Sequence, residues 1–177
     1  MFRGDVYDGV DVETLDAKHR AFAQKHLRIL SGLYGLLRPL DLVHPYRLEM
    51  GTTFKTGSPK TLYKFWGDRL ADAINAEVAA EKRPVVVNLA SNEYFKAVSE
   101  DALCARVIAP SFKEEKDGEL RIITWFAKRA RGLMARYMIV NRIKNPDDLL
   151  DFDLDGYRYH EKLSTVNKPV FTRQQPG

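Results

Sequence analysis

The segment from Ser31 to Gly35 has the composition of a tight turn that can bind phosphate. Gly32 and Gly35 permit positive φ and close backbone approach, so amide groups in this segment can face an anion at the start of a following helix. Two such glycines between two helices are also typical of a helix-hairpin-helix DNA-binding element. By itself the short pattern favours a purely structural turn. A P-loop is excluded, because no Gly-Lys-Ser/Thr follows.

Two stretches of the chain carry basic residues and no acidic ones. Over the whole chain 28 Lys and Arg face 24 Asp and Glu, and the net charge of +4 is too small to indicate a nucleic-acid partner. The stretch from Ala17 to Leu40 holds Lys18, Arg20, Lys25, Arg28 and Arg38. The stretch from Leu120 to Pro146 holds Arg121, Lys128, Arg129, Arg131, Arg136, Arg142 and Lys144. Each stretch makes the local electrostatic potential more positive and therefore attracts phosphates. The alternative is a solvated helix face whose basic residues pair with acidic residues elsewhere.

The second stretch predicts a long amphipathic helix over residues 126–144. Its apolar face repeats with helical spacing through Phe126, Ala130, Leu133, Tyr137 and Val140. The basic residues lie away from that face, with Lys128, Arg131 and Arg142 roughly opposite and Arg129 and Arg136 on the flank. Because the helix has no interleaved exposed aromatic residue beyond Tyr137, it favours contact with a phosphate backbone over base readout. A solvated surface helix is the alternative.

A polar run follows the apolar residues 84–90, which are typical of a strand buried on both faces. Open α/β sheets bind ligands beyond the carboxyl ends of their strands. The run therefore predicts either a polar pocket or the capped start of a helix, and its members are Asn88, Ser91, Asn92, Glu93, Tyr94 and Lys96. No nucleophile–base pair can be assigned from the spacing, so no catalytic residue is predicted.

Metal and cofactor sites are not indicated by the sequence. The four histidines lack metal-ligand spacing. Residues 151–156 imitate a calcium loop, but Lys162 stands where a bidentate Glu is needed. The single cysteine, Cys104, excludes an intramolecular disulfide, and its place beside a strand is typical of a buried, inert thiol. We predict no cofactor and no metal.

The periodicities predict a mixed α/β protein of the α+β class, folded as one domain over residues 1–177. Helices are expected over residues 11–30, where the last four residues alternatively open a strand, and from a Ser58 cap to Glu81. Strands 105–109 and 120–124 are expected to form a hairpin around Asp117-Gly118, and the tail to form one or two edge strands. No apolar run reaches the roughly 18 residues that span a bilayer, and no signal peptide is visible. We expect a cytoplasmic protein with no membrane partner.

Several motifs, in order along most of the chain, resemble the YaaA family of bacterial peroxide-stress proteins. They are LSGLYGLLRPLDL at 30–42, PYRLEMG at 45–51, LYKFWGD at 62–68, NLASNEYFK at 88–96 and AKRARGLMARY at 127–137. The resemblance implies a fold specific to the family that contains a helix-hairpin-helix-like element. It also implies a cytoplasmic DNA-binding protein that keeps intracellular iron low and limits oxidative DNA damage under hydrogen peroxide.

The sequence departs from the family pattern at its start. Members of the family have a first strand and a Ser-Pro-Ala-Lys-Thr-like segment before the motif that stands here at residues 2–9. In this sequence only Met1 precedes that motif. We therefore expect the family's N-terminal segment, roughly a third of its length, to be missing, together with any site that its lysine completes.

The resemblance assigns DNA binding to the glycine-containing turn and to the basic helix. The residues are Arg28, Gly32, Tyr34, Gly35, Arg38, Arg47, Lys128, Arg129, Arg131 and Arg136. We expect sequence-tolerant binding of double-stranded DNA by a protein that is not an enzyme. The alternatives are an enzyme that acts on a nucleotide or nucleic acid through the polar run, and an iron-binding protein. The scattered histidines argue against the last, and the oligomeric state is not predicted.

Overall fold

The computed structural model of the chain describes residues 3–176 and combines helices with small sheets, which confirms the predicted α+β class. The α-helices are α1 (Asp5–Val10), α2 (Ala17–His26), α3 (Leu62–Trp66), α4 (Arg69–Val78), α5 (Asn92–Phe95) and α6 (Thr124–Val140). The strands are β1 (Ile29–Ser31), β2 (Gly35–Leu37), β3 (Val85–Val87), β4 (Arg106–Ile108), β5 (Ser111–Lys116), β6 (Glu119–Arg121), β7 (Arg158–Tyr159) and β8 (Val170–Gln174). Short 3₁₀ helices lie at Val12–Thr14, Glu100–Ala102, Pro146–Asp151, Leu154–Gly156 and Glu161–Leu163.

The described strands form two small sheets, β1-β2 and β3-β4, and a four-stranded sheet in the order β6-β5-β8-β7. In the larger sheet β5 and β8 are parallel, and β6 and β7 flank them antiparallel. The chain divides into two compact units. The first comprises the described residues up to Ala23, Val87–Leu89 and the residues from Val107 onward, and the second comprises Gln24–Val86 and Ala90–Arg106.

The core of the first unit is aromatic. Phe112 of β5 and Phe171 of β8 are partners in the parallel ladder, and their rings stack with centroids 5.5 Å apart. Phe152 and Tyr157 meet Phe112 edge-on, at 5.8 and 5.4 Å. All four side chains are buried, so their apolar area holds the sheet against the segment that leads from α6 to β7.

A buried ion pair crosses the same sheet. Glu114 of β5 and Arg173 of β8 are ladder partners, both buried, and Arg173 Nε lies 3.6 Å from Glu114 Oε1. The Tyr157 hydroxyl donates a hydrogen bond to Glu114, and the Ile123 N–H donates to Glu114 Oε2 at 3.3 Å. Arg173 also donates to Asp155 Oδ2 at 2.7 Å. These polar groups fix the register of the parallel pair, because a shift would leave a buried charge without its partners.

Two glycines let α1 and α6 cross at close range. A Cβ on Gly132 would lie 1.9 Å from the carbonyl oxygen of Val6, and a Cβ on Gly9 would lie 2.4 Å from that of Arg129. Such distances exclude any side chain at either position. The helices therefore approach through bare backbone, which brings the C-terminal end of α1 within reach of α6 side chains.

In the second unit the helix predicted from Ser58 begins later and is interrupted. Its cap is Thr61, whose Oγ1 accepts from the Lys64 N–H at 3.2 Å. Gly67, with φ of +51°, ends α3, and the chain resumes as α4. The buried face of α4 consists of Leu70, Ala71 and Ile74.

The predicted turn at Asp117-Gly118 is confirmed, with φ of +54° and +78°, but one of its strands was assigned wrongly. β5 rather than residues 105–109 pairs with β6, and β4 pairs with β3 instead. In the tail β7 is an edge strand, whereas β8 is central. A turn signal fixes where a chain reverses, but alternation alone does not choose the partner of a strand.

The two predicted long helices are both shorter in the structure. Of residues 11–30, Ala17–His26 are α-helical, and the alternative of a strand at the end is confirmed by β1. Asp16 starts α2, since its Oδ1 accepts from the His19 N–H at 2.7 Å. At the other end of the chain α6 stops at Val140 rather than Lys144, because Arg142 adopts a left-handed φ of +49°.

Candidate nucleic-acid interface

The glycine-containing turn belongs to the second unit and connects β1 to β2. Ser31 pairs with Gly35 across the antiparallel ladder, and Gly35 has φ of +76°. At this position the chain therefore forms a β-hairpin rather than the two helices of a helix-hairpin-helix element.

The two glycines are required by contacts within the second unit. A Cβ on Gly32 would lie 2.5 Å from the Leu48 carbonyl oxygen, and one on Gly35 would lie 2.7 Å from the Trp66 ring. The Trp66 indole N–H donates to the Gly32 carbonyl at 3.1 Å. Leu48 and Trp66 thus fill the space beside the two glycines that a phosphate would need. This agrees with the alternative that the turn is purely structural.

Polar side chains close the hairpin onto the segment that follows it. Ser31 is fully buried, its hydroxyl contacts that of Tyr46, and it accepts from the Tyr34 N–H at 2.9 Å. The Tyr34 and Tyr46 rings meet edge-on at 5.4 Å, and the Tyr34 hydroxyl accepts from the His44 N–H at 3.3 Å. Tyr34 is therefore engaged in holding the turn, although one edge of it remains exposed.

The three arginines predicted around the hairpin differ in their availability. Arg28 pairs with Glu77 and donates to the carbonyls of Gln24, Lys25 and Leu27, so it closes the C-terminal end of α2. Arg38 pairs with Asp41 at 3.3 Å, and its backbone N–H holds the pKa of that carboxyl below the usual value. Arg47 is 91% exposed and touches Glu49 at 3.0 Å. Arg47 is the most exposed of the three, and Arg38 keeps 54% of its side chain exposed.

On α6, in the first unit, two of the predicted arginines face the protein. Arg136 donates to the carbonyls of Val10 and Asp11 at 2.9 and 3.0 Å, where α1 ends. Arg131 donates to the Leu89 carbonyl at 3.4 Å, and burial lowers the pKa of its guanidinium. The expected purely basic outer face is therefore corrected: these two cations satisfy carbonyl groups that would otherwise lack donors.

The other cations of α6 and of the segment directly after it are more exposed to solvent. Arg129 lies 3.8 Å from Asp155 and keeps 43% of its side chain exposed. Lys128, Arg142 and Lys144 are exposed, and the part of the chain that the structure describes gives them no ion pair. Arg142 and Lys144 were noted as basic in the sequence but were not among the predicted binding residues; their position after the end of α6 distinguishes them.

The polar run after β3 is mainly a capped helix start. Asn88 belongs to the first unit, where its N–H donates to the Ile108 carbonyl at 2.7 Å. The other members belong to the second unit, where Ser91 caps α5. Glu93 accepts from the Gly51 N–H at 2.9 Å, and Lys96 Nζ lies 5.2 Å from the Tyr63 ring centroid.

Tyr94 and Tyr63 complete this cluster. Burial, and then the neighbouring Glu93 carboxylate, raises the pKa of both phenols, and the Tyr63 hydroxyl donates to the Glu93 carbonyl at 3.0 Å. Phenols are protonated at neutral pH, and the raised pKa values extend the protonated state of both hydroxyls to more alkaline solution. The cluster thus joins α5 to the loop at Gly51 through hydrogen bonds, without a paired nucleophile and base in the contacts described.

The structure also contains a feature that the sequence patterns did not indicate, an apolar groove of about 290 Å³ in the second unit. Its walls include Leu33 of the hairpin turn, Leu48, Phe54, Leu62 and Phe65. The sequence signal that accompanies it is a third stretch without Asp or Glu, from Met50 to Gly67.

Other candidate chemistry finds little support in the described residues. Within residues 3–176 no group of three or more His, Cys, Asp or Glu is placed to hold a metal ion. No helix in that part of the chain is long and apolar enough to cross a membrane. Cys104 was predicted to be buried and is exposed instead, and its backbone N–H donates to Asn75 Oδ1 at 2.8 Å.

Known relatives extend over nearly the whole chain. A UPF0246 protein of Polynucleobacter asymbioticus is 56% identical over 174 residues, which cover 98% of this chain and 67% of the relative. UPF0246 proteins of Maricaulis maris and Shewanella oneidensis are 55% and 54% identical, over 99% and 98% of this chain and 67% of each relative. The chain thus spans about two thirds of the length of these relatives. A family profile described as peroxide stress protein YaaA matches residues 1–163. On these matches the chain belongs to the YaaA family of peroxide stress proteins.

Proposed function

We propose that the chain acts in the peroxide-stress response by binding double-stranded DNA through the phosphate backbone, independently of sequence. The proposal includes what the family resemblance implies, namely protection of DNA from oxidative damage and a low level of intracellular iron, in the cytoplasm. It rests on one observation above all, the exposed cations Lys128, Arg142 and Lys144 without an ion pair in the described structure.

The length of α6 separates Lys128 from the two cations that follow its C-terminal end. From Lys128 to the end of α6 at Val140 the helix extends roughly 18 Å at about 1.5 Å per residue. That length corresponds to roughly five phosphates along one DNA strand. Arg129 on the flank of α6 is available to the same backbone in part, whereas Arg131 and Arg136 act as positioning residues that hold α6 in place.

Charge replacement in matched sets tests the proposal. We replace Lys128, Arg142 and Lys144 with Gln, and in a control protein we replace three exposed lysines outside the acid-free stretch, Lys116, Lys162 and Lys168. Both proteins lose the same charge, and Gln keeps most of the side-chain length. Fluorescence anisotropy then measures duplex affinity over a range of salt concentrations, with two unrelated DNA sequences.

The first set should weaken binding to both sequences and reduce the slope of log affinity against log salt by roughly 0.9 for each lost contact. The control set should leave that slope close to that of the parent. Arg136→Gln should lower the free energy of unfolding without changing the slope, because its partners are carbonyl groups of the protein. Equal salt slopes for both triple variants would exclude an interface formed by Lys128, Arg142 and Lys144.

A further inference from the structure

We infer that the second unit carries a separate site for an unpaired nucleotide, in which a nucleobase stacks in the apolar groove beside Phe54 and Phe65. The inference rests on the proposed DNA binding for its setting, but it uses none of the residues of α6. It assigns to this chain a preference for single-stranded segments that the phosphate contacts alone do not provide.

The groove combines a buried floor with exposed aromatic walls. Leu62 at its floor is 5% exposed, whereas Phe54 and Phe65 are 37% and 44% exposed and Leu33 on the hairpin turn is 48% exposed. Large apolar side chains grouped on the surface around a concave site mark a binding face. Since phenylalanine offers neither donor nor acceptor, what these walls recognise is a flat apolar surface.

The loop that carries Phe54 is anchored at both of its ends. Thr53 and Thr61 form an antiparallel bridge, and the Phe54 N–H donates to the Lys60 carbonyl at 2.8 Å. Phe65 is held on the other side, where its ring meets that of Trp66 edge-on at 5.0 Å. Anchored walls limit the ordering cost of binding a flat group between them.

The charge near the groove selects the occupant. Three exposed lysines, Lys55, Lys60 and Lys64, are sequence neighbours of the lining residues Phe54, Pro59 and Phe65, and the described residues provide them no ion pair. The guanidinium of Arg69 lies 5.3 Å from the Phe65 ring centroid. Aromatic faces bordered by cations are the arrangement with which proteins bind single-stranded nucleic acid, the cations meeting phosphates and the rings meeting bases. These cations would not contribute to the binding of an apolar peptide.

The size of the groove excludes a paired base. At about 290 Å³ it lies at the small end of the roughly 300–1,000 Å³ found for ligand sites, so it suits one base and not a duplex. A base within a duplex has both faces stacked on its neighbours and must leave the stack to be bound in a pocket. The occupant is therefore an unpaired nucleotide.

Comparison of two single strands that differ only in their bases tests this site. Labelled oligothymidylate of about ten nucleotides, within the usual site size, is titrated beside an abasic strand of equal length. The parent should bind the strand with bases more tightly by roughly 5- to 150-fold, the range expected for a stacked base. Phe54→Leu and Phe65→Leu, which retain apolar bulk at exposed positions, should each reduce that ratio toward one. Leu42→Ala, at a position 94% exposed and outside the groove, should leave it unchanged.

Tryptophan emission supplies a second, local measurement. The chain has two tryptophans, so Trp125→Phe leaves Trp66, next to Phe65, as the reporter. Oligothymidylate should quench this emission, and the abasic strand should not.

The outcomes separate this inference from the proposed function. Equal affinity for both strands, without quenching, overturns the groove site. The salt titration with duplex DNA tests the proposed function independently of this result. Base-dependent binding together with equal salt slopes for the two triple variants supports the groove and overturns an interface formed by Lys128, Arg142 and Lys144. Binding of an apolar probe dye in the groove, unaffected by oligothymidylate, assigns it to a different occupant and overturns the inference.

Discussion

Tyr157 shows how much a single residue contributes to the first unit. Its ring contacts Phe112 and the Arg173 guanidinium, and its hydroxyl donates to Glu114, so one side chain serves both the apolar core and the buried ion pair. Burial, and then the bond to Glu114, raises the pKa of the Tyr157 phenol above its usual value. The neutral hydroxyl is the form that the fold requires.

Tyr157→Phe is expected to lower the free energy of unfolding by about 1.5–3 kcal/mol, since Glu114 loses a donor in a buried site. The raised pKa also makes the contribution of the hydroxyl to stability depend on pH. Below the unfolded pKa near 10 the contribution of the hydroxyl is fully present, and it is lost as the pH rises, because the unfolded state releases the proton first. Urea unfolding at neutral and alkaline pH measures both effects.

The difference in the free energy of unfolding between the parent and Tyr157→Phe should therefore become smaller above about pH 10. Tyr159→Phe, in the same unit, is the matched control for the loss of a hydroxyl. A gap that stays constant up to alkaline pH would show that Tyr157 is not held in its neutral form.

Among the elements, α6 depends on its crossing with α1. The contact through Gly9 and Gly132 leaves no space for a methyl group, and Arg136 adds hydrogen bonds to the last carbonyls of α1. A glycine inside a helix ordinarily weakens it by roughly 1 kcal/mol relative to alanine. Gly132 is tolerated because it permits this approach.

Gly132→Ala tests that account by the sign of its effect. In an open helix the change should raise the free energy of unfolding. Here it should lower that free energy by about 1–3 kcal/mol or more, because the new Cβ would overlap the Val6 carbonyl. Denaturant unfolding followed by circular dichroism gives the answer. An increase in stability would mean that the helices are not in contact at Gly132.

The sequence predicted the elements whose signals are local. The Asp117-Gly118 turn, a strand within residues 84–90 and the alternative of a capped helix start after that strand depend on neighbouring residues alone, and all three occur. Contacts between residues that are distant in the sequence could not be predicted from it. The pairing of β5 with β8 joins residues far apart in the chain, and the hairpin glycines are explained by Leu48 and Trp66, which no spacing rule connects to them.

The same limit applies to the candidate interface. A run of basic residues does not reveal which of them meet carbonyl groups. In the helical pattern Arg131 shared the outward position of Lys128, and Arg136 lay on the flank. Contact with the Leu89 carbonyl and with the end of α1 separates them. Helical periodicity gives a direction around one axis, whereas partners on other elements depend on how the chain returns to that helix.

Across the whole molecule the net charge of +4 is a poor guide to the proposed interaction with DNA. Some cations, such as Arg28, Arg136 and Arg173, are tied to carboxylates or carbonyls of the protein. Others, such as Lys128 and Lys64, are exposed and lack an ion pair in the described structure. Only the second kind would release counterions from DNA in the proposed complex, so the number of such cations would decide the salt dependence of binding.

A plasmid-nicking assay distinguishes two mechanisms for the proposed protection of DNA from peroxide, namely shielding of the DNA backbone by bound protein and removal of iron. Supercoiled plasmid is exposed to ferrous iron and hydrogen peroxide with the parent chain, the Lys128/Arg142/Lys144→Gln protein or the Lys116/Lys162/Lys168→Gln control. If bound protein shields the strands, the parent and the control should slow nicking, the first triple variant should not, and added salt should abolish protection in step with the loss of binding. Equal protection by all three proteins, insensitive to salt, would instead indicate that the chain withholds iron from the reaction, since binding of iron requires no contact between these cations and DNA.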